Sequence, residues 1–468
     1  MENIEANRLK WLKTVRLTSK PFLEIKRKQL QSLISKNAHL PDQGTDEWLA
    51  VRRFNIGGSE MSTITGDGGF SNIKRLIATK AGLTQFSGRL ATRWGKMFEN
   101  VTTLIMEDIL EVDGKIQETS SLEGAVKYQR YSPDGVAVVK MLCGDTICGE
   151  YIERHEYLTI LFEFKSPYSG IPNGKIARYY VPQVMTGLLS IPITDLAIFV
   201  NNMYRKCKLP DLNETTAYDT YFHNKDEGRA VVDAPIAIGL VLVYFKKETL
   251  AKFRENQEEE TVDSDSDSDS DIESDEPEEF DYNQYVEKTD DQKLVEELLE
   301  AKTVKDFGRS SYYEFDKLMS LFDEGLVDVH YCEPLVIQEN VHQIEFMQTQ
   351  MTPREQDVQK EVSEYKLKID EFAKKEHLVG YIPYKLFKSD MIVKNRDPDY
   401  LKPHEEKICD IIEKVKVIVG DDFSDLENIH ARFRKEFPYK EDWIDREIDS
   451  FMDDHRNTQS CTDMMPEF

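Results

Sequence analysis

Two short charged motifs at the ends of apolar stretches constrain this 468-residue chain most. Asp134 lies in a Pro-Asp-Gly turn that opens one apolar, β-branched stretch, and Glu163-Phe164-Lys165 closes a later one. Both stretches predict strands. Because residues two apart on a strand share a face, Glu163 and Lys165 should point together while Phe164 enters the core. The pattern therefore predicts strands that bring Asp134, Glu163 and Lys165 to one point.

Each of these motifs alone has an ordinary explanation, because Pro-Asp-Gly is a common turn and Glu-x-Lys also suits a cross-strand salt bridge. Together they favour a site, since buried acids beside a lysine are costly unless a metal or partner compensates them. Asp134 and Glu163 would hold a hard divalent cation, with the Phe164 carbonyl as a further ligand. The Lys165 ammonium would orient or deprotonate an attacking water. This chemistry hydrolyses phosphodiester bonds.

Arg52, Arg53 and Ser59 form a second constellation around Gly57 and Gly58. The glycines precede a predicted helix that starts with Ser59. Free backbone N–H groups at a helix start, together with a hydroxyl, can bind a phosphate, and Arg52 would add a bidentate contact. The alternative is a capped helix with an arginine on its surface.

Glu99 and Gln183 are two further candidates on predicted helices. Glu99 follows the helical stretch that contains Trp94 and could add a carboxylate to the cluster. The Gln183 amide could hold a water or a phosphate oxygen. For both residues the alternative is an exposed polar side chain on a helix surface.

The remaining hydrophobic patterns predict an α/β protein. We expect helices at 1–36 in two pieces joined at Pro21, in most of 44–110, at 176–190 and at 405–419, and strands at 136–139, 158–162, 196–200 and 236–244.

The net charge of −27 argues at first against a nucleic-acid-binding protein. However, residues 258–281 carry 14 acidic and no basic side chains, whereas 1–36 and 52–99 carry balances of +6 and +5. Since phosphate binding depends on the local field, DNA contacts remain open. The basic N-terminal helix is predicted either to contact DNA or to pack on the domain.

Composition also suggests the boundaries of the parts. We predict a basic helical arm at 1–40, a core at 41–256, a disordered acidic insert at 257–291, an α-rich part at 292–453 that completes or packs on the core, and a flexible tail at 454–468. The scattered cysteines predict reduced thiols, and we expect neither a signal peptide nor a membrane span.

Five stretches in order resemble the YqaJ-type viral recombinases, a branch of the lambda-exonuclease-like group within the PD-(D/E)xK nucleases. The resemblance covers roughly residues 44–205, and a looser match to the version from large DNA viruses lies at 380–387. The matching stretches are 47–60, 95–99, 132–135, 163–167 and 180–183.

This resemblance implies a three-layer, restriction-endonuclease-like α/β core with a mixed central sheet flanked by helices, plus helical additions. It implies metal binding by Asp134 and Glu163, and water handling by Lys165. Terminal-phosphate binding would fall to Arg52 and Ser59. The catalytic set is completed by Glu99 and Gln183. The cofactor would be Mg²⁺, with Mn²⁺ as an alternative, and no iron–sulfur cluster is expected.

The sequence therefore predicts a metal-dependent exonuclease that acts on duplex DNA ends in recombination or repair. A single-strand annealing protein is a candidate partner, oligomers are open, and the expected location is intracellular, in the host cytoplasm or nucleus if the chain is viral. The alternatives are a catalytically silent DNA-binding or scaffold protein, and an endonuclease on the same core.

Overall fold

A computed structural model describes most of the chain outside the first 19 residues and the acidic segment. The described residues are 20–41, 45–68, 71–84, 90–147, 150–213, 235–251, 293, 297, 303–337, 355–375, 377–420 and 423–462. The predictions for residues 1–19 and for the acidic insert lie outside these ranges, as does the end of the predicted tail.

The described strands form two sheets. The small sheet has the order β1-β3-β2, and the large one has the order β10-β7-β11-β6-β5-β4, with β8 on β11 and β9 on β7. The strands are β1 (Ile56–Gly57), β2 (Leu122–Glu123), β3 (Gln129–Tyr131), β4 (Gly135–Ile147), β5 (Glu150–Lys165), β6 (Leu196–Lys206), β7 (Ala237–Phe245), β8 (Lys305–Asp306), β9 (Val327–Tyr331), β10 (Leu335–Val336) and β11 (Leu378–Lys394).

Helices cover both faces of the large sheet and extend beyond it. They are α1 (Lys20–Asn37), α2 (Asp46–Arg53), α3 (Met61–Thr65), α4 (Ile73–Lys80), α5 (Leu90–Ile109), α6 (Val181–Ser190), α7 (Tyr312–Asp323), α8 (Glu355–Lys375), α9 (Glu405–Val419), α10 (Leu426–Glu436) and α11 (Trp443–Thr462). The predicted strands and the helix at 405–419 are confirmed.

The large sheet is mixed, because β4 and β5 form an antiparallel hairpin while β5 and β6 run parallel. The α6 crossover between β5 and β6 is what allows the parallel pairing. One face packs on α5 and α7 through a core that includes Phe162 and Phe164, and the other packs on α1 and α6 through a core that includes Leu161. This is the three-layer α/β core expected for a restriction-endonuclease-like fold.

The central strand β11 comes from the C-terminal part of the chain, and the sequence analysis did not identify it as a strand. It pairs antiparallel with β6 on one side and β7 on the other. Pro383 within it and the buried polar residues Lys385, Ser389 and Asp390 interrupt the apolar pattern that marks an interior strand. The C-terminal part thus completes the sheet as well as packing on it.

The C-terminal helices α9, α10 and α11 share a second hydrophobic core with α3 and α4. On α9 the apolar stripe includes Ile408, Ile412 and Val415, all fully buried. The two helices that follow Ser59 in the chain therefore rest on the C-terminal part. The boundary expected at residue 454 falls inside α11, which extends to Thr462.

The described part of the N-terminal arm packs on the core. Pro21 lies in the first turn of α1, as predicted for the start of a new helix. Lys26 forms an ion pair with Asp195 at 2.5 Å, and Arg27 forms one with Asp113 at 2.6 Å. These two cations therefore fix the helix to the domain, which favours the packing alternative for them.

None of the helices among the described residues is both long and apolar enough to cross a membrane. Within the same ranges, Cys207, Cys332 and Cys409 form no disulfide with one another.

Candidate active site

Asp134 lies between β3 and β4, at the end of the sheet where β5 also ends. Its Oδ2 accepts a hydrogen bond from the backbone N–H of Phe164 at 2.7 Å. The register of the hairpin produces this contact, because Gly135 pairs with Phe162. The turn and the Glu-x-Lys motif, which are 30 residues apart, are therefore joined directly.

Glu163 and Lys165 share one face of β5, as the alternation predicted. The Lys165 Nζ lies 2.5 Å from Oε1 of Glu163, 2.9 Å from the carbonyl oxygen of Phe164 and 3.7 Å from Oδ2 of Asp134. Three oxygens from separate groups thus surround one cationic nitrogen. We call these four residues, Asp134, Glu163, Phe164 and Lys165, the carboxylate cluster.

The oxygens of the carboxylate cluster suit a hard divalent cation. Two carboxylates and a backbone carbonyl are ligands that Mg²⁺ and Mn²⁺ accept, with water at the other positions. The Lys165 ammonium lies where such a cation would lie, because its Nζ faces Oε1 of Glu163, the Phe164 carbonyl oxygen and Oδ2 of Asp134. Among the described residues, no group of three or more His, Cys, Asp and Glu side chains is placed to hold a metal ion. The candidate ligands here are two carboxylates and one backbone carbonyl.

Burial and mutual repulsion shape the protonation of the cluster. Burial, followed by the neighbouring Glu163 carboxylate, raises the pKa of Asp134 well above its usual value. Burial alone would lower the pKa of Lys165, but the carboxylates of Glu163 and Asp134 reverse this and hold it above its ordinary value. These two carboxylates therefore favour the charged form of Lys165.

Tyr131 is a residue of this site that the sequence analysis missed. Its hydroxyl donates to Oε2 of Glu163 at 2.7 Å, and both side chains are buried. Burial and the nearby carboxylates raise the pKa of Tyr131 well above its usual value, so the hydroxyl keeps its proton. The strand that ends at Tyr131 has only three residues, Gln129–Tyr131, and its sequence carries no pattern that indicates this contact.

Arg52, at the end of α2, meets Ser59 as the second constellation predicted. Its Nη2 donates to Oγ of Ser59 at 3.0 Å, and its guanidinium lies over the Trp48 ring at 4.8 Å. Gly57 gives the guanidinium room, because a Cβ there would lie 3.3 Å from Nη2. Arg53 is elsewhere, with its guanidinium 4.3 Å from the centre of the Phe423 ring.

The helix start at Ser59 differs from the expected one. Residues Gly58–Glu60 form a 3₁₀ turn that leads into the short α3. The backbone N–H of Gly57 donates to Oε2 of Glu60 at 2.7 Å, so this N–H is already paired. Arg52 and the Ser59 hydroxyl therefore remain the candidate anion-binding groups of this turn.

Glu60 and Lys80 form a buried pair beneath Arg52 that the sequence analysis also missed. Lys80 Nζ lies 2.9 Å from Oε2 of Glu60 and donates to the carbonyls of Arg52 and Asn55. The pair ties the end of α2 to α4. Arg52, Ser59, Glu60 and Lys80 are called the arginine cluster below.

Glu99 and Gln183 border the two clusters. Burial raises the pKa of Glu99 to about 7, against the attraction of the Lys165 ammonium, so Glu99 lies within the field of the carboxylate cluster. Gln183 lies against Gly58, since its Cγ would be 3.5 Å from a Cβ built on that glycine. These placements agree with the predicted neighbourhoods; they leave the roles of both residues as predictions.

The chain is similar to a protein of African swine fever virus, found in several isolates. It is 26% identical over 224 residues to the protein of isolate Tick/South Africa/Pretoriuskop Pr4/1996, covering 44% of this chain and 62% of that one. The protein of strain Badajoz 1971 Vero-adapted gives 26% over 223 residues with the same coverage. The chain thus spans less than two thirds of the length of these relatives. No protein-family model matches it.

Two similar solved structures come from the bacterium Laribacter hongkongensis. The alkaline exonuclease LHK-Exo is 20% identical, covering 34% of this chain and 74% of that one, with a TM-score of 0.24. The same protein in complex with dAMP is 19% identical, covering 38% and 77%, with a TM-score of 0.25. Beside its motif resemblance to lambda-exonuclease-like nucleases, the chain is thus similar to a viral protein and to a bacterial alkaline exonuclease.

Proposed function

We propose that this chain is a metal-dependent DNA exonuclease that hydrolyses phosphodiester bonds at duplex ends, in recombination or repair. The observation that carries the proposal is the convergence of Asp134, Glu163 and the Phe164 carbonyl on the Lys165 nitrogen. Oxygen ligands beside a charged donor are what metal-assisted phosphodiester hydrolysis requires.

Asp134, Glu163 and the Phe164 carbonyl would hold Mg²⁺ or Mn²⁺. When bound, the cation supplies Lewis-acid stabilisation of the charge that develops on the phosphate. The hydrogen bond from the Phe164 N–H fixes one oxygen of Asp134. This oxygen, Oδ2, is also the one that faces Lys165 Nζ at 3.7 Å, so the backbone fixes the direction of the proposed ligand.

Lys165 would orient the attacking water and donate to a phosphate oxygen. Its pKa lies above the ordinary value in the structure, so a proton is present to be donated. The ammonium must leave its contacts with the carboxylate oxygens when a cation takes them, and Tyr180, whose ring centre is 5.4 Å from Nζ, lies beside it. A displaced ammonium would remain next to the cation and the scissile phosphate.

The arginine cluster would bind the terminal 5′-phosphate. Arg52 offers a planar donor set that is held over Trp48, and Ser59 adds an exposed hydroxyl. Gln183 lies against Gly58, next to this cluster, and would contact the DNA backbone there. An enzyme that binds a terminal phosphate near its metal would act from ends.

The test is nucleotide release from end-labelled linear duplex DNA, with and without a 5′-phosphate, in Mg²⁺ and in EDTA. We expect nucleotide release in Mg²⁺ but not in EDTA. Release should be faster from 5′-phosphorylated ends, and Asp134→Ala should release no nucleotides. Circular duplex DNA and RNA serve as comparison substrates. Cleavage of circular DNA would instead indicate an endonuclease, and binding without cleavage in any metal would indicate a silent binding protein.

A further inference from the structure

We propose that Tyr131 is a positioning residue for this reaction, whose hydroxyl orients the Glu163 carboxylate and links it to the arginine cluster. The inference rests on the proposed function, because it concerns how Glu163 binds the cation.

The two oxygens of Glu163 have different partners. Oε2 accepts from the Tyr131 hydroxyl at 2.7 Å, whereas Oε1 faces the Lys165 ammonium at 2.5 Å. Glu163 is fully buried, and Tyr131 is 2% exposed. With one oxygen held from inside the protein, rotation of the carboxylate is restricted and Oε1 is directed toward the position of the cation. Hydrogen-bond donors to metal-binding carboxylates tune metal affinity in this way.

The Tyr131 ring packs closely against two glycines. A Cβ on Gly58 would lie 2.6 Å from Cδ2 of the ring, and a Cβ on Gly187 would lie 2.5 Å from Cζ. Both distances are shorter than normal contacts, so any larger residue would displace the ring. Gly58 directly precedes Ser59, and Gly187 lies on α6 with Gln183. The ring thus contacts the segments that carry two other candidate residues.

The backbone of Tyr131 also joins the two clusters. Tyr131 is the last residue of β3, which pairs parallel with β1, so that Gly57 lies beside Arg130. From β1 the chain enters the turn that contains Ser59, and from β3 it enters the turn that contains Asp134. The small sheet therefore fixes the spacing between the proposed terminal phosphate and the proposed metal, and Tyr131 extends this link to Glu163.

The test is the variant Tyr131→Phe, which removes the hydroxyl and retains the ring. Mn²⁺ binding, measured by calorimetry without DNA, should weaken by about 10-fold, since the loss of such outer partners typically costs roughly 10–100-fold. The Mg²⁺ concentration for half-maximal activity should rise and kcat should fall, while KM for phosphorylated ends stays within about twofold because the arginine cluster is intact.

The matched control is Tyr204→Phe. Tyr204 is also fully buried, and its hydroxyl bonds to Thr102 at 2.9 Å and to Asn202 at 3.0 Å, away from Glu163. This variant should lose thermal stability but bind Mn²⁺ like the wild type. If both variants weaken Mn²⁺ binding equally, the hydroxyl of Tyr131 is only structural and the inference is wrong.

The two proposals fail in different ways. Wild-type protein that neither binds Mn²⁺ nor cleaves DNA would overturn the proposed function itself. Wild-type protein that does both, with Tyr131→Phe unchanged in Mn²⁺ affinity and kcat, would overturn only the role of Tyr131. Should Tyr131→Phe lose Mn²⁺ binding and also unfold at a much lower temperature than Tyr204→Phe, the positioning role is rejected in favour of a folding role.

Discussion

The carboxylate cluster and the arginine cluster are built alike but carry opposite surplus charge. In the first, the ammonium of Lys165 lies among the carboxylates of Asp134 and Glu163, with Glu99 in the same field. In the second, the carboxylate of Glu60 lies among the cations of Arg52 and Lys80. The first cluster can therefore accept a cation, and the second can accept an anion.

The two clusters also differ in how they are covered. Glu163 is completely buried, whereas Ser59 is exposed and the Arg52 side chain is one-third exposed. A DNA end can reach the arginine cluster directly from solution. A ligand of the carboxylate cluster has to approach at the end of β5. A metal cation would neutralise the excess negative charge of the carboxylate cluster, and a phosphate would neutralise the excess positive charge of the arginine cluster. Each prediction below changes one of these clusters or the link between them.

Removal of the Lys165 ammonium should have the largest effect. Lys165→Ala should lower kcat by about 10²–10⁴-fold, because a positioned proton donor contributes on that scale. Binding of duplex DNA should persist, since the arginine cluster is unchanged. Lys366→Ala, an exposed lysine of α8, is the control. Equal losses of binding and cleavage in Lys165→Ala would argue against the assigned role.

Removal of the Arg52 guanidinium should act on substrate choice. Arg52→Ala should reduce the preference for 5′-phosphorylated over 5′-hydroxyl ends by about 10–100-fold, which corresponds to the loss of charged hydrogen bonds. Arg53→Ala is the control in the neighbouring position, because its guanidinium stacks on Phe423. If the two variants change the end preference equally, the proposed phosphate contact of Arg52 is wrong.

A methyl group against Tyr131 should disturb the link between the clusters. Gly187→Ala places a Cβ 2.5 Å from the Tyr131 ring and 2.6 Å from Leu161. We expect a loss of about 1–3 kcal/mol in the free energy of unfolding, as for other overpacked cores, measured by urea denaturation. In Gly95→Ala on α5 the new Cβ meets nothing within 4 Å, so that control should gain stability. A silent Gly187→Ala would contradict the close packing.

The acid–base state of Glu99 predicts a pH-dependent effect. Burial raises the pKa of Glu99 to about 7, so folding favours the protonated form. The protonated Glu99 carboxyl contributes fully to the free energy of unfolding below about pH 4.5, and this contribution is lost as the pH rises through 7. In EDTA, Glu99→Gln should therefore be more stable than the wild type at about pH 8.5, by up to about 3 kcal/mol.

The same pair of proteins should differ in stability by only about 1 kcal/mol at about pH 5, where the folded-state carboxyl is mostly protonated but the unfolded one has begun to ionise. Urea denaturation at both pH values measures this difference. Glu47→Gln, an exposed residue of α2, provides the control and should show no such change. A constant difference between wild type and Glu99→Gln at the two pH values would contradict the assigned pKa.

Local alternation explains why the sequence predicted part of the site. The alternation in β5 alone placed Glu163 and Lys165 together and Phe164 in the core, because the two-residue period of a strand is fixed by backbone geometry. The meeting of Asp134 with this motif was predicted from a turn that opens one strand and a Glu-x-Lys motif on a later one. The grouping of Arg52 with Ser59 was likewise predicted from the Gly57-Gly58 segment between them.

The missed features depend on contacts between distant segments. Nothing in the local sequence distinguishes Tyr131 from other residues at strand ends. Its hydrogen bond to Glu163 depends on the packing of β3 beneath α6. The Glu60–Lys80 pair joins two helices whose packing no periodicity specifies. β11 was missed because Pro383 and buried polar residues are tolerated there by neighbours that the local sequence does not reveal.

The position of β11 has a consequence for how this protein acquires its structure. Since β6 and β7 both pair with β11, their facing edges stay open until residue 394 has been synthesised. Open edges of apolar strands invite association with other chains. The protein is therefore expected to complete its fold late during translation. A fragment that ends before residue 378 should aggregate rather than fold as a smaller stable unit.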